Sequence, residues 1–126
     1  MRHIVHRRMP AAVLVLLVAL ATTAARHVAP FVWPGVYDTI GTGFANGDRI
    51  AVVTVTGSDT ALTLAIAGPP GRLARARFAG DSLDAEWDFG AGSEPMVLHV
   101  RGADDSLSGV WRIGDRSGPL RGWRRR

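Results

Sequence analysis

The sequence predicts an all-β domain: eight antiparallel strands in an up-and-down meander, closed or nearly closed into a small barrel, behind an N-terminal signal helix. Three observations carry this. From Trp33 onward there is no long helical period, only short runs of valine, leucine, threonine and aromatic residues alternating at period two. Seven turn signals separate these runs, at Asn46-Gly47, Gly57-Ser58-Asp59, 68–71 (GPPG), Gly80-Asp81, 90–92 (GAG), 102–105 (GADD) and Gly114-Asp115. The pattern Asp-Ser-Leu-x-small-x-Trp also occurs twice, within 80–87 (GDSLDAEW) and 104–111 (DDSLSGVW), as a turn that feeds a strand. A two-sheet sandwich satisfies the same alternation and is the runner-up. Closure removes exposed strand edges, and eight strands enclose an interior just wide enough for side chains or one small ligand.

The first element is the segment 1–25. Arg2, Arg7 and Arg8 precede an unbroken apolar run at 11–21 (AAVLVLLVALA) and a small-residue stretch at 22–25. That layout predicts a signal peptide cleaved after Thr23-Ala24-Ala25. Counted from Met9, the apolar segment reaches the short limit for spanning a bilayer, so an uncleaved anchor over 9–25 is the other reading. Residues 26–126 then form one exported domain, periplasmic or extracellular, whose N-terminal segment engages the export machinery. The chain has no cysteine, which excludes a lipid-attachment cysteine, disulfides, thiolate catalysis and Cys-ligated zinc.

Strands are expected at 34–43, 49–56, 61–67, 72–78, 83–89, 96–101, 107–113 and 119–125. A Gly80-Asp81 tip sets Phe78 opposite Leu83, Ala76 opposite Ala85 and Ala74 opposite Trp87, with Arg77–Asp84 and Arg75–Glu86 on the other face. One assumption thus yields an apolar side and two opposite-charge pairs. The next hairpin is read with Phe89 opposite Met96, Trp87 opposite Leu98 and Asp84 opposite Arg101. The one after sets Val100 against Leu107, Leu98 against Gly109 and Met96 against Trp111. A Ser58-Asp59 tip sets Val55 against Leu62 and Thr54 against Thr63. In the repeat, Asp and Ser satisfy local backbone groups in the turn. Leu and Trp share the inner face, and Ala85 or Gly109 between them leaves room for a large neighbour. Strand one finds no register, because an Asn46-Gly47 tip turns Asp38 inward. In the last strand, Trp111 opposite Gly122 forces Arg112 beside Arg121.

Trp33-Pro34-Gly35 at the start of strand one and the arginines near the end of the last resemble a calycin, the lipocalin and avidin type of up-and-down barrel. In lipocalins a Gly-x-Trp opens the first strand, and an Arg or Lys of the last strand packs across that Trp. Here the motif order is reversed, and Arg121 or Arg124 would supply the cation. The resemblance spans the mature chain in architecture and two or three residues in detail. The runs GDSL and DSLSGVW are also similar to small β-meander domains of exported bacterial proteins. Neither resemblance names a chemistry.

The net charge is +4, and every basic residue is Arg. Three arginines lie in the signal and four at the C-terminus (Arg121, Arg124, Arg125 and Arg126), which leaves a slightly acidic body of 8 Arg and 11 acids. A nucleic-acid binder needs a basic face interleaved with aromatics, so nucleic acid is not an expected partner. The tail is suited to an anionic envelope surface, or serves as a solvated terminus.

Catalytic and metal patterns are sparse. His99 falls beside Glu86 and Ser108, a set that nucleophilic catalysis would use, but no nucleophile turn or oxyanion device accompanies it, and an exposed strand explains it. Asp84, Glu86 and Asp88 share one face, and two of the three have arginine partners in the expected register, which reads as a salt-bridged surface rather than a glycosidase pair or calcium site. The scattered His and carboxylates do not make a zinc site, and no phosphate loop opens a helix. No cofactor is therefore expected.

Function is left to the inner face. Almost nothing polar points inward, so the interior either is solid or takes an apolar guest. The leading reading is a non-enzymatic exported binding module for a hydrophobic small molecule, held by Trp87, Trp111, Phe78, Phe89, Met96 and Leu98. The alternative is a solid-cored structural or partner-interaction envelope protein. It would use the outer face, exposed Trp123, and the tail of Arg121, Arg124, Arg125 and Arg126.

Overall fold

Period-two alternation becomes eight strands in the computed structural model, which describes residues 30–58 and 60–126. The expectations for the segment 1–25 lie outside the described residues. The strands are β1 (Gly35–Gly41), β2 (Arg49–Ser58), β3 (Ala61–Ala67), β4 (Arg72–Ala79), β5 (Ser82–Asp88), β6 (Met96–Ala103), β7 (Ser106–Ile113) and β8 (Arg116–Arg124). They form one antiparallel sheet in the order β3-β2-β1-β8-β7-β6-β5-β4. The described residues contain no helix, and the sheet curls into a nearly closed barrel.

The barrel joins its ends through β1 and β8, paired from Tyr37–Arg124 to Gly41–Leu120. The opening lies between β3 and β4, the consecutive pair a full meander would also have joined. Its linker carries Pro69-Pro70, which have no amide donors for a tight hairpin. Pro70 instead gives its carbonyl to the indole N–H of Trp87 at 2.9 Å, which holds the linker over one end of the barrel.

Hairpin tips set the registers. Gly80, Asp104 and Gly114 each take φ near +60° (61°, 56° and 61°), and each is the first of two tip residues ending in Asp. Glycine adopts this region freely, and aspartate is among the few other residues that do. The β4–β5 hairpin pairs Phe78 with Leu83, Ala76 with Ala85, Arg77 with Asp84 and Arg75 with Glu86, as the sequence predicts. Ala74 departs from expectation: the register shifts between Leu73 and Arg75, and Leu73 faces Trp87. The bulge absorbs one residue on an edge strand, a common place for it.

Three other hairpins are displaced from the expected register by an even number of residues. Trp87 pairs with Met96, Ala85 with Leu98 and Asp84 with His99. Leu98 pairs with Trp111, and Val100 with Gly109. Val55 pairs with Leu64, and Thr56 with Thr63. A slip of two keeps every side chain on its face, so the hydrophobic pattern does not detect it. The cause between β6 and β7 is that Gly102 and Ala103 extend β6, leaving only Asp104-Asp105 at the tip. Similarly, the Gly114-Asp115 tip starts β8 at Arg116, and Trp111 faces Gly118. Arg112 then lies opposite Ser117 and Arg121 opposite Ser108, so the two arginines are not neighbours. In strand one, residues 42–48 form a longer loop, Gly41 pairs with Arg49, and Asp38 points outward opposite Val52.

The core follows the inner parity. Val53, Val55, Leu64, Leu83, Ala85, Trp87, Met96, Leu98, Val100, Leu107 and Trp111 are buried. Trp33 and Tyr37 join them, from the chain entering β1 and from β1 itself, the strand for which the sequence yields no register. Ala74 and Ala76, expected inside, are exposed on β4, because no strand covers that side of the opening. Gly109 makes room for backbone rather than for a large side chain: a Cβ there would overlap the His99 carbonyl and crowd Cα of Val100.

Candidate functional site: an apolar interior sealed at one end

One end of the barrel is plugged. The chain entering β1 crosses it, and Trp33 donates its indole N–H to the carbonyl of Gly80 at 2.8 Å. Tyr37 donates its hydroxyl to the Trp33 carbonyl at 2.7 Å. Phe31 meets Trp33 edge to face at 4.7 Å, and Trp33 meets Phe78 likewise at 5.1 Å. Arg124, from the end of β8, clamps the plug. Its guanidinium donates to the carbonyls of Pro34 (2.8 Å) and Val32 (2.6 Å) and lies over the rings of Phe31 and Tyr37. It also pairs with Asp105 at 3.3 Å. Of the two arginines expected to pack across Trp33, Arg124 reaches the start of β1 but lies over Phe31 and Tyr37 rather than Trp33, and Arg121 is exposed on β8 opposite Ser108.

The interior beyond the plug contains a cavity of about 310 Å³. Its walls include Val53, Leu64, Leu83, Trp87, Met96, Leu98, Val100, Leu107 and Trp111. Phe44, Asn46, Pro69, Pro70, Phe89 and Ile113 line it at the other end, where the 42–48, 68–71 and 89–95 loops gather. The two large indoles are fixed at their polar edges. Trp111 donates to the Thr42 carbonyl at 2.7 Å, as Trp87 does to Pro70, so each presents only its ring to the cavity. Phe44 stacks on Trp111 with centroids 3.9 Å apart. The buried polar side chain on the wall, Thr39, is satisfied by the Ala51 carbonyl at 2.9 Å.

Five of the six residues expected to hold a ligand (Trp87, Trp111, Phe89, Met96 and Leu98) line this cavity. Phe78 does not, and packs at the plugged end. Sequence reasoning passed over Phe44, Arg49 and Arg116, which also border the cavity. The only signal for Phe44 was an aromatic inside a Gly-rich turn. Arg49 and Arg116 stand directly after turn aspartates, at the first position of a strand on the inward parity.

The C-terminal residues are tied to the body. Arg125 makes a two-pronged contact with Asp38 (3.1 and 2.7 Å), and Arg126 meets Asp105 at 3.1 Å. The hydrogen bond from Arg125 holds the Asp38 carboxyl below its usual range and raises the Arg125 pKa in turn. Trp123, between Asp38 and Ser106 in the sheet, is 53% exposed.

On the outer face, His99 contacts Asp84 at 2.5 Å, not the expected Glu86, which pairs with Arg75 at 3.3 Å. Ser108 lies opposite Arg101, and among the described residues no side-chain hydrogen bond joins it to His99. No group of three or more potential metal ligands occurs among the described residues. No helix among them is long and apolar enough to cross a membrane. In comparisons with protein-family models, curated proteins and solved structures, the chain finds no match.

Proposed function

We propose that the chain is an exported, non-enzymatic binding module that holds a small apolar molecule inside its barrel. The observation that carries this is the cavity itself: about 310 Å³, plugged at one end and walled largely by apolar side chains, with the indole N–H groups of Trp87 and Trp111 and the Thr39 hydroxyl already satisfied. Small-molecule sites are concave and mostly apolar, and lie in places such as the mouths of β-barrels. An apolar cavity favours apolar guests. The Arg124 brace beside Trp33-Pro34-Gly35 supports a calycin-like reading of the architecture. Export rests on the layout of residues 1–25.

The test is titration of the domain with an environment-sensitive apolar dye, following dye emission and tryptophan quenching. A saturable one-to-one site that weakens when Leu98→Trp fills the cavity supports the reading. Dye binding that survives the filling substitution unchanged overturns it. A second reading, partner contact through the outer sheet, is favoured by the exposure of Trp123. Trp123→Ser tests it by loss of a co-purifying partner with the fold intact.

A further inference from the structure

The charged residues bordering the cavity are all cationic: Arg49, Arg116 and Arg121. Two of them are placed to face the guest. Arg49 begins β2 on the inward parity of Ala51 and Val53, and Arg116 begins β8 on that of Gly118 and Leu120. Both strand starts lie at the unplugged end. Among the described residues neither arginine forms an ion pair, whereas Arg72, Arg75, Arg101, Arg124, Arg125 and Arg126 each do. Acids occur at the same end, at Asp48, Glu94 and Asp115, but among the described residues no carboxylate borders the cavity. Two unpartnered guanidinium groups at the rim of an apolar cavity match a ligand that is apolar along its length and anionic at one end.

We propose that the guest is a single-chain monocarboxylate whose tail enters between Trp87 and Trp111 and whose head is met at the rim by Arg49 and Arg116. This rests on the reading of the interior as a binding site. The guanidinium fork offers a carboxylate parallel N–H donors that it offers an alcohol less well. At about 310 Å³ the cavity stands at the small end of small-molecule pockets, which suits a single chain of medium length rather than a two-chain lipid.

The experiment is isothermal titration of the purified protein with decanoate and with decan-1-ol at low ionic strength, each below its aggregation threshold. The expected result is decanoate binding about tenfold more tightly than decanol, a difference of roughly 1.4 kcal/mol. In the Arg49→Gln/Arg116→Gln double variant that ratio falls towards one. Arg77→Gln, on the outer face of β4, keeps it. Equal affinity for the two ligands in the native chain overturns the head-group assignment and leaves interior binding standing. A ratio that persists in the double variant overturns the role of these two arginines. Binding of neither ligand overturns the reading of the interior as well.

Discussion

The phenol of Tyr37 lies beneath the Arg124 guanidinium with its hydroxyl committed to the Trp33 carbonyl, and burial raises its pKa above the ordinary 10.0 despite the nearby cation. The folded phenol therefore keeps its proton where the unfolded chain has lost it. Its contribution to stability is complete below pH 10 and is lost as pH rises through the folded value. Tyr37 is the single tyrosine in the chain, so phenolate absorbance reports it alone. The prediction is a native titration midpoint above 10.0 that returns to the ordinary value in denaturant. Asp38 carries the opposite sign. Its folded pKa lies below 3.8, so its contact with Arg125 stabilises the chain end above that pH and is lost as pH falls through the folded value. Asp38→Asn should remove this acid-sensitive step from the amide exchange of the last residues of β8. Gly109 is a third residue with a measurable consequence. A Cβ there meets the His99 carbonyl, so Gly109→Ala should cost about 1–3 kcal/mol in urea unfolding, as overpacking does.

At the level of the elements, what the sequence reveals and what it hides follow from the same rule. Alternation at period two tells inside from outside, so the strands and their inner faces are legible, and Phe78–Leu83 and Arg75–Glu86 follow from one tip. Slips of two residues are invisible to alternation, which is why Trp87 meets Met96 rather than Leu98. The tips hold the missing information, since Asp104 in the left-handed region makes GADD a two-residue turn after Gly102 and Ala103. The plug was illegible for another reason. Trp33, Tyr37 and Arg124 meet across about 90 residues of sequence, and only the reversed Trp-Pro-Gly gave a hint. This junction makes a prediction of its own. Arg124→Met leaves the carbonyls of Val32 and Pro34 without their donor, which should cost about 1–3 kcal/mol and raise amide exchange in β1 ahead of β6 and β7.

For the molecule as a whole, seven strand pairings hold the barrel and one gap leaves it open. β4 guards its free edge with a bulge and with Arg72, Arg75 and Arg77. β3 (ALTLAIA) has no charge, proline or bulge, the kind of edge most open to pairing with another strand. The cavity wall includes Leu64 and Ile66 from β3, so the weakest seam adjoins the proposed site. Amides of β3 and β4 should exchange fastest among the strands, and a bound guest should slow β3 through its contacts with these residues. The cavity-lining aromatics were legible as inner-face residues, but the cavity was not. Alternation gives the side of a residue and not the volume left between residues.

The central claim is that the interior holds an apolar guest, and native mass spectrometry of the purified protein tests it most directly. The expected result is a non-covalent adduct in one-to-one stoichiometry, released by solvent extraction as a single-chain apolar molecule. Leu98→Trp should abolish the adduct. A uniformly ligand-free mass that stays unchanged after incubation with single-chain carboxylates and alcohols would contradict the account.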